Sequence, residues 1–169
     1  MDVDTDIEIR EGGPELLDFL EPLWLTLFDH HIEGGAAGLP SIPRSKSWPL
    51  RRAHYERLLA TPGAFVLLAI RKGRAVGYAL VHVHEGADDT WPTGDRIGDI
   101  ESLALVPEER GRGLGTHLLD LAEKRLAQHG IETVQLSVMA GNDRALEFYE
   151  RRGMVPILVT VMRLPLSVD

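Results

Sequence analysis

Two stretches of this 169-residue chain hold residue types that can do chemistry. The first is PEERGRGLGTHLL, residues 107–119, where Gly111, Gly113 and Gly115 alternate with Arg110, Arg112 and Leu114 just before a helical run. A helix N-terminus offers unpaired backbone N–H groups and the positive end of a dipole. Glycines let the backbone approach a ligand closely, and arginines add charge-assisted hydrogen bonds. Together they point to an anion, a phosphate in the first place. The second stretch holds Asp99 and Glu101, which alternate along a strand and so leave the same face. Buried side by side, one of two such carboxylates would have its pKa raised, which suits a base near neutral pH.

These residues need elements to hold them. TDIEIRE alternates and reads as a first strand, and Pro14 suits the first turn of a helix. Leu16, Leu20, Leu23, Trp24, Leu27 and Phe28 recur at helical spacing, with Pro22 splitting or bending that helix. EGGAAGLPSIPRSKS is a long loop, and a second helix starts near Pro49 and stops before Pro62. AFVLLAIRKGRAVGYALVHVHE reads as a hairpin around Lys72-Gly73, EGADDTWPTGD as a polar loop, and RIGDIESLALV as a central strand. The glycine stretch opens a helix of about Gly113 to His129, closed by Gly130, with Asp120 and Lys124 as an i,i+4 pair. IETVQLSVM is a strand, NDRALEFYERR a helix capped by Asn142, and MVPILVTVMRL a final strand. The order β-α-α-β-β-β-α-β-α-β describes a mixed α/β fold around one sheet, a single domain over residues 1–169 with residues 1–6 expected to be flexible.

Which phosphate compound fits is narrowed by spacing. A P-loop needs a lysine after its glycines, and none follows here. A dinucleotide fingerprint needs a third glycine where Thr116 stands, and an acidic residue on the next strand, which Val134 to Met139 lacks. What fits is [RQ]-x-x-G-x-[GA], as Arg110, Gly113 and Gly115, preceded by IESLALVP and followed by NDRALEFYERRGM. With these residues the sequence resembles the GNAT superfamily of N-acetyltransferases from about residue 97 to residue 154, with Met154 where many members have phenylalanine.

The resemblance implies a single-domain fold with a mixed, mostly antiparallel central sheet flanked by helices, and acetyl-CoA as co-substrate. It implies that main-chain N–H groups of Arg110, Gly111, Arg112, Gly113, Leu114, Gly115 and Thr116 wrap the CoA pyrophosphate as an anion nest. The pantetheine arm would pair with the strand edge at Leu103, Ala104 and Leu105, where the Leu103 N–H would polarise the thioester carbonyl. Asn142 would lie near the pantetheine; as a helix cap it has an equally good structural role. Tyr149 matches the family's proton donor to the departing thiolate, beside the alternative of a core aromatic. Glu101, or else Asp99, matches the carboxylate that deprotonates the amine, directly or through water; both also read as surface carboxylates.

Composition sets outer limits. A formal net charge of −8 argues against nucleic-acid binding and leans towards a cationic acceptor. The absence of cysteine excludes disulfides, thiolate metal sites and thiol nucleophiles. An acidic N-terminus and no long apolar run imply no signal peptide, no membrane partner and a cytoplasmic protein. His82 and His84 share a strand face, but no third ligand can be placed, so no metal is expected. His30, His31, Trp24, Tyr55 and Trp91 could line an acceptor site or belong to the core, and Glu85, Asp88 and Asp89 could attract a cation or be a solvated loop. The expected activity is transfer of an acetyl group, or of a longer acyl group, to a primary amine on a small molecule or peptide by direct attack in a ternary complex. The alternative is a non-catalytic CoA-binding sensor or interaction module of the same fold. Similarity also allows a homodimer.

Overall fold

Every residue from Phe65 to Ile70 is buried, so this run is covered on both faces, as a strand inside a layered α/β domain must be. The computed structural model describes residues 6–34, 39–86 and 89–163, so Asp88, most of the N-terminal segment and Leu164 of the expected last strand lie outside the described residues. In chain order it contains β1 (Ile7–Gly12), a 3-10 turn (Pro14–Phe19), α1 (Glu21–Gly34), α2 (Arg44–Leu59), β2 (Phe65–Arg71) and β3 (Arg74–Glu85). Then come β4 (Arg96–Leu105), a short 3-10 turn (Pro107–Glu109), α3 (Leu114–Gln128), β5 (Thr133–Leu136) and α4 (Asp143–Glu150).

The sheet order is β1-β2-β3-β4-β5. The first three pairings are antiparallel and β4–β5 is parallel. Lys72 and Gly73 take φ of 50° and 77° at the β2–β3 turn, whose twist matches that of the strands it joins. Leu118, Leu119, Ala122 and Leu126 form the buried stripe of α3. A Cβ on Gly98 would lie 2.5 Å from Leu126, so the glycine is what lets α3 settle against β4. Across the other face, Trp24 of α1 donates from Nε1 to the buried Ser47 hydroxyl of α2 at 2.8 Å.

Four local expectations are corrected. The second helix begins at Arg44 and carries Pro49 inside it. The missing N–H costs one early hydrogen bond, and the burial of Ser47 and Trp48 against α1 favours the longer helix. The strand over IETVQLSVM shortens to Thr133–Leu136. Asp120 accepts from Arg152 of the α4 C-terminus, not from Lys124. Residues 154–163 form no strand, although their pattern is strand-like. A strand needs a paired neighbour, and this segment has none among the described residues.

Candidate active site

The site is built on an irregularity in β4. Leu80 of β3 lies opposite Ser102 and Val81 opposite Ile100, which leaves Glu101 as the extra residue of a β-bulge. The bulge aims Glu101 and Ser102, consecutive in sequence, at consecutive residues of α2. His54 Nε2 lies 2.8 Å from Glu101 Oε1, and the Tyr55 hydroxyl is 2.6 Å from Ser102 Oγ and 2.9 Å from the Tyr78 hydroxyl. That hydroxyl triad is buried and ties α2 to β3 and β4.

Around Glu101 the charges converge. Arg51 Nη1 donates to Oε1 at 2.8 Å, with its guanidinium 4.0 Å from the Trp24 ring centroid. His82 Nε2 of β3 lies 3.6 Å from Glu101 Oε2 and 4.0 Å from Asp99 Oδ1. Gln135 of β5 donates from Nε2 to Asp99 Oδ2 at 2.7 Å and lies 3.1 Å from His84 Nε2. His84 Nδ1 lies 2.8 Å from the Glu85 carbonyl. Both ring nitrogens of His84 are thus engaged, Nδ1 by the Glu85 carbonyl and Nε2 by Gln135, with Asp99 Oδ2 3.6 Å from Nε2.

Burial alone would raise the Glu101 pKa, but His82, His54 and Arg51 favour the anion and lower it to about 2. The expected carboxylate with a raised pKa is thus not Glu101; its imidazole and guanidinium neighbours outweigh its burial. His82 shifts the other way: Glu101 beside it raises its pKa, with a further contribution from Asp99. His31, on α1, is lowered by burial and by the charges of His30 and Arg51.

His82, Asp99 and Glu101 each place one ligand atom within 4.8 Å of the others, a donor set for a cation. Arg51 on the same carboxylate would repel a dication strongly, whereas a monovalent ammonium faces half that repulsion. The third polar group that sequence spacing left unplaced beside the histidines is therefore the carboxylate pair, opposite them across β3–β4.

Beyond the cluster, the outer edge of β4 opens. β5 pairs only with Ile97–Ile100, so along Leu103, Ala104 and Leu105 that edge has no strand partner among the described residues. It leads to the glycine loop. Gly111 and Gly113 take φ of 73° and 87°, values that side-chain-bearing residues rarely adopt, and a Cβ on either would meet nothing within 4 Å. Gly113 is the N-cap of α3 with no side-chain cap, so the helix presents bare N–H groups from Leu114, Gly115 and Thr116. Arg110 Nε donates to the Leu105 carbonyl at 3.3 Å. The loop is anchored by Glu109, 4% exposed, which accepts from Arg71 at 2.7 and 3.1 Å in a bidentate pair that sequence reasoning missed.

Asn142 caps α4, its Oδ1 accepting from the Ala145 N–H at 3.2 Å. It also lines a cleft of about 50 Å³ with His30, His31, Gly34, Met139 and Gly141. Tyr149, on α4, packs against Phe148 and is pushed up to about pKa 12 by burial, so its phenol keeps its proton at neutral pH. Arg51 and His54 carry no sequence signal of a role; they share a helix face, but only the tertiary fold brings that face to Glu101.

The same architecture recurs in known proteins. The chain is 33% identical over 148 residues to a mycothiol acetyltransferase of Thermobispora bispora, covering 84% of this chain and 45% of that protein. It is 33% identical over 96 residues to an aminoalkylphosphonate N-acetyltransferase of Salmonella typhimurium, covering 56% of this chain and 59% of that one. The chain thus spans about half the length of the curated relatives it matches. A GCN5-related N-acetyltransferase from Ralstonia eutropha shares the fold with a TM-score of 0.72 at 23% identity, covering 95% of this chain and 98% of that one. An aminoglycoside N-acetyltransferase in complex with CoA does so with a TM-score of 0.70 at 15% identity, covering 99% of each. The acetyltransferase (GNAT) family model matches residues 30–154, and the chain belongs to the GNAT family.

Proposed function

We propose that this protein is an acetyl-CoA-dependent N-acetyltransferase that transfers an acetyl group to a primary amine by direct attack in a ternary complex. The observation that supports it most is the β4 edge, which has no strand partner among the described residues and runs from the Glu101 cluster to the N-terminus of α3, which lacks a side-chain cap. A polar cluster, an extended edge and an anion nest in that order suit an amine, an amide-bearing arm and a pyrophosphate.

The residues fit the cofactor because the space before Gly111 and Gly113 is open and the α3 N–H groups there lack a side-chain cap. The backbone from Arg110 to Thr116 holds the pyrophosphate, and Leu103, Ala104 and Leu105 pair with the arm. When bound, acetyl-CoA supplies an activated acetyl group whose carbonyl carbon takes the amine. The Leu103 N–H stabilises the charge that develops on the carbonyl oxygen. Tyr149 hydrogen-bonds the departing sulfur, and Asn142 borders the arm. Asp99 and Glu101 form the anionic end of the site, which draws in the ammonium form of the acceptor.

The acceptor is a small-molecule or peptide amine. Among the described residues no helix is long and apolar enough to cross a membrane. A homodimer belongs to this reading, because Val155, Ile157, Leu158, Val159, Val161 and Met162 are 55–90% exposed in one copy.

Thermal melts with acetyl-CoA, CoA, NAD and ATP, each alone, test the cofactor. A ligand at 100 times its dissociation constant adds about 2.7 kcal/mol. Stabilisation by acetyl-CoA and CoA only, followed by thiol release with a panel of primary amines, is the expected result. Stabilisation by NAD, or none by CoA, rejects the reading.

A further inference from the structure

We propose that His82, Asp99 and Glu101 form a three-point cup for the primary ammonium of the acceptor, and that His82 Nε2 takes the proton that must leave before attack. The proposal rests on the acetyltransferase reading of this site. It assigns the base to a β3 residue instead of to either carboxylate.

The geometry favours an ammonium. A primary ammonium has three N–H donors and makes hydrogen bonds of about 2.8 Å to charged or strongly polar acceptors. The cup has three acceptor atoms, with separations from His82 Nε2 of 3.6 and 4.0 Å and no separation above 4.8 Å. One nitrogen can therefore reach all three at about 2.8 Å while standing a little above their plane. Ligand atoms around a small divalent ion would have to crowd closer, at about 3 Å from one another for metal–oxygen bonds near 2.1 Å.

Elimination then selects His82. Among the described residues, the charged or imidazole groups in contact with the cup are Asp99, Glu101, His82 and His84 from the sheet, and Arg51 and His54 from α2. Arg51 is always protonated. Glu101 is an acceptor-only anion, so His54 Nε2, 2.8 Å from its Oε1, carries its proton there and has no lone pair to offer. His84 Nε2 is already occupied by Gln135 at 3.1 Å. Among the described residues, His82 Nε2 is the one imidazole nitrogen of the cluster that points between both carboxylates without a hydrogen bond of 3.5 Å or less. Glu101, with a pKa of about 2, is a poor proton acceptor at neutral pH, while His82, raised above the ordinary imidazole value, is well matched to that range.

The proton count closes simply. One N–H bond of the ammonium breaks and its proton passes to His82 Nε2; the electron pair stays on nitrogen and forms the new C–N bond as the C–S bond breaks. The second amine proton balances the one taken up by the leaving thiolate, and His82, now imidazolium, returns its proton to solvent.

The test is a titration of the full-length protein followed by NMR of the histidine rings, with His82 assigned by its disappearance in His82→Gln. Propylammonium and propyltrimethylammonium chloride are the two probes. The expected result is a saturable shift of the His82 signals with propylammonium and none with the quaternary ion, which has no N–H. In the free protein the His82 midpoint should lie above about 6.5, the ordinary imidazole value, and Glu101→Gln should lower it. Equal responses to the two probes, or a His82 silent to both, overturn the cup. None of this needs acetyl-CoA, so the cup and the transferase reading fail separately. The proton role is read from thiol release with propylamine as surrogate acceptor. His82→Gln should lose about 100-fold at pH 7 and recover tenfold per pH unit, while wild type levels off above the His82 midpoint. A His82→Gln limb identical to wild type, or a limb lost only in Glu101→Gln, returns the base to Glu101. A wild type that releases no thiol removes the His82 role together with the transferase reading.

Discussion

Tyr149 and Glu101 show how environment, not residue type, decides what a group can do. Burial holds the Tyr149 phenol at about pKa 12, well above the ordinary thiol range near 8.5. Complete proton transfer from it to a thiolate is uphill, so the role proposed for it is a hydrogen bond that strengthens as charge develops on sulfur. Tyr149→Phe should therefore lower turnover by about 100-fold with little change in KM for acetyl-CoA; a wild-type turnover would assign the ring to packing alone. Glu101 makes a prediction about stability. Its folded pKa of about 2 lies below the ordinary 4.5, so it contributes stability that is present above pH 4.5 and lost as pH falls towards 2. His82, with a raised pKa, contributes stability that is complete below its ordinary value and lost as pH rises through the folded one. Melting temperature should climb between pH 2 and 4.5 and decline above about 6.5, and Glu101→Gln should flatten both slopes. A variant that keeps the wild-type slopes would show that the cluster does not carry them.

Some turns and caps were legible because short-range chemistry fixes them: Lys72-Gly73 as a hairpin turn, Gly113 before α3, Asn142 on α4, Gly130 after α3; the start of α2 was not, because tertiary burial set it. The β4 bulge was not, since a one-residue mismatch depends on the register of two strands joined by a long loop. Without that register, Asp99 and Glu101 could be assigned to one face, but His82, His54 and Arg51 could not be placed around them. The Glu109–Arg71 pair is another product of tertiary register. Glu109 closes the turn that launches the glycine loop, and Arg71 ends β2 on the far side of β3. Removing Arg71 would leave a buried carboxylate without its bidentate partner. Arg71→Met should cost about 3 kcal/mol in denaturant unfolding. It should also raise KM for acetyl-CoA more than it lowers kcat, because the loop's mooring is lost and the chemistry is untouched. An unchanged KM would separate the mooring from the binding loop.

For the molecule as a whole, a mixed α/β fold around one sheet followed from the order of periodic segments and its flanking helices from the family resemblance, whereas residues 154–163 of the last strand formed none. Residues 154–163 have the composition of a strand, yet composition cannot say which edge will receive it. Ile157, Leu158 and Val159 are consecutive and all exposed, so both faces of the segment are apolar, as in a strand buried between layers. The outer edge of β5 is unpartnered among the described residues and lies in the same part of the chain. Supply of that strand by a second copy would satisfy both surfaces at once and repeat by two-fold symmetry. Sedimentation equilibrium should then give about twice the 18.7 kDa chain mass at micromolar concentration. Val159→Asp with Val161→Asp should shift the mass to that of a monomer, since each charge would have to be buried in the joint sheet. A wild type that stays monomeric throughout would place the segment on its own β5 edge, and the double variant should then lose stability without changing mass.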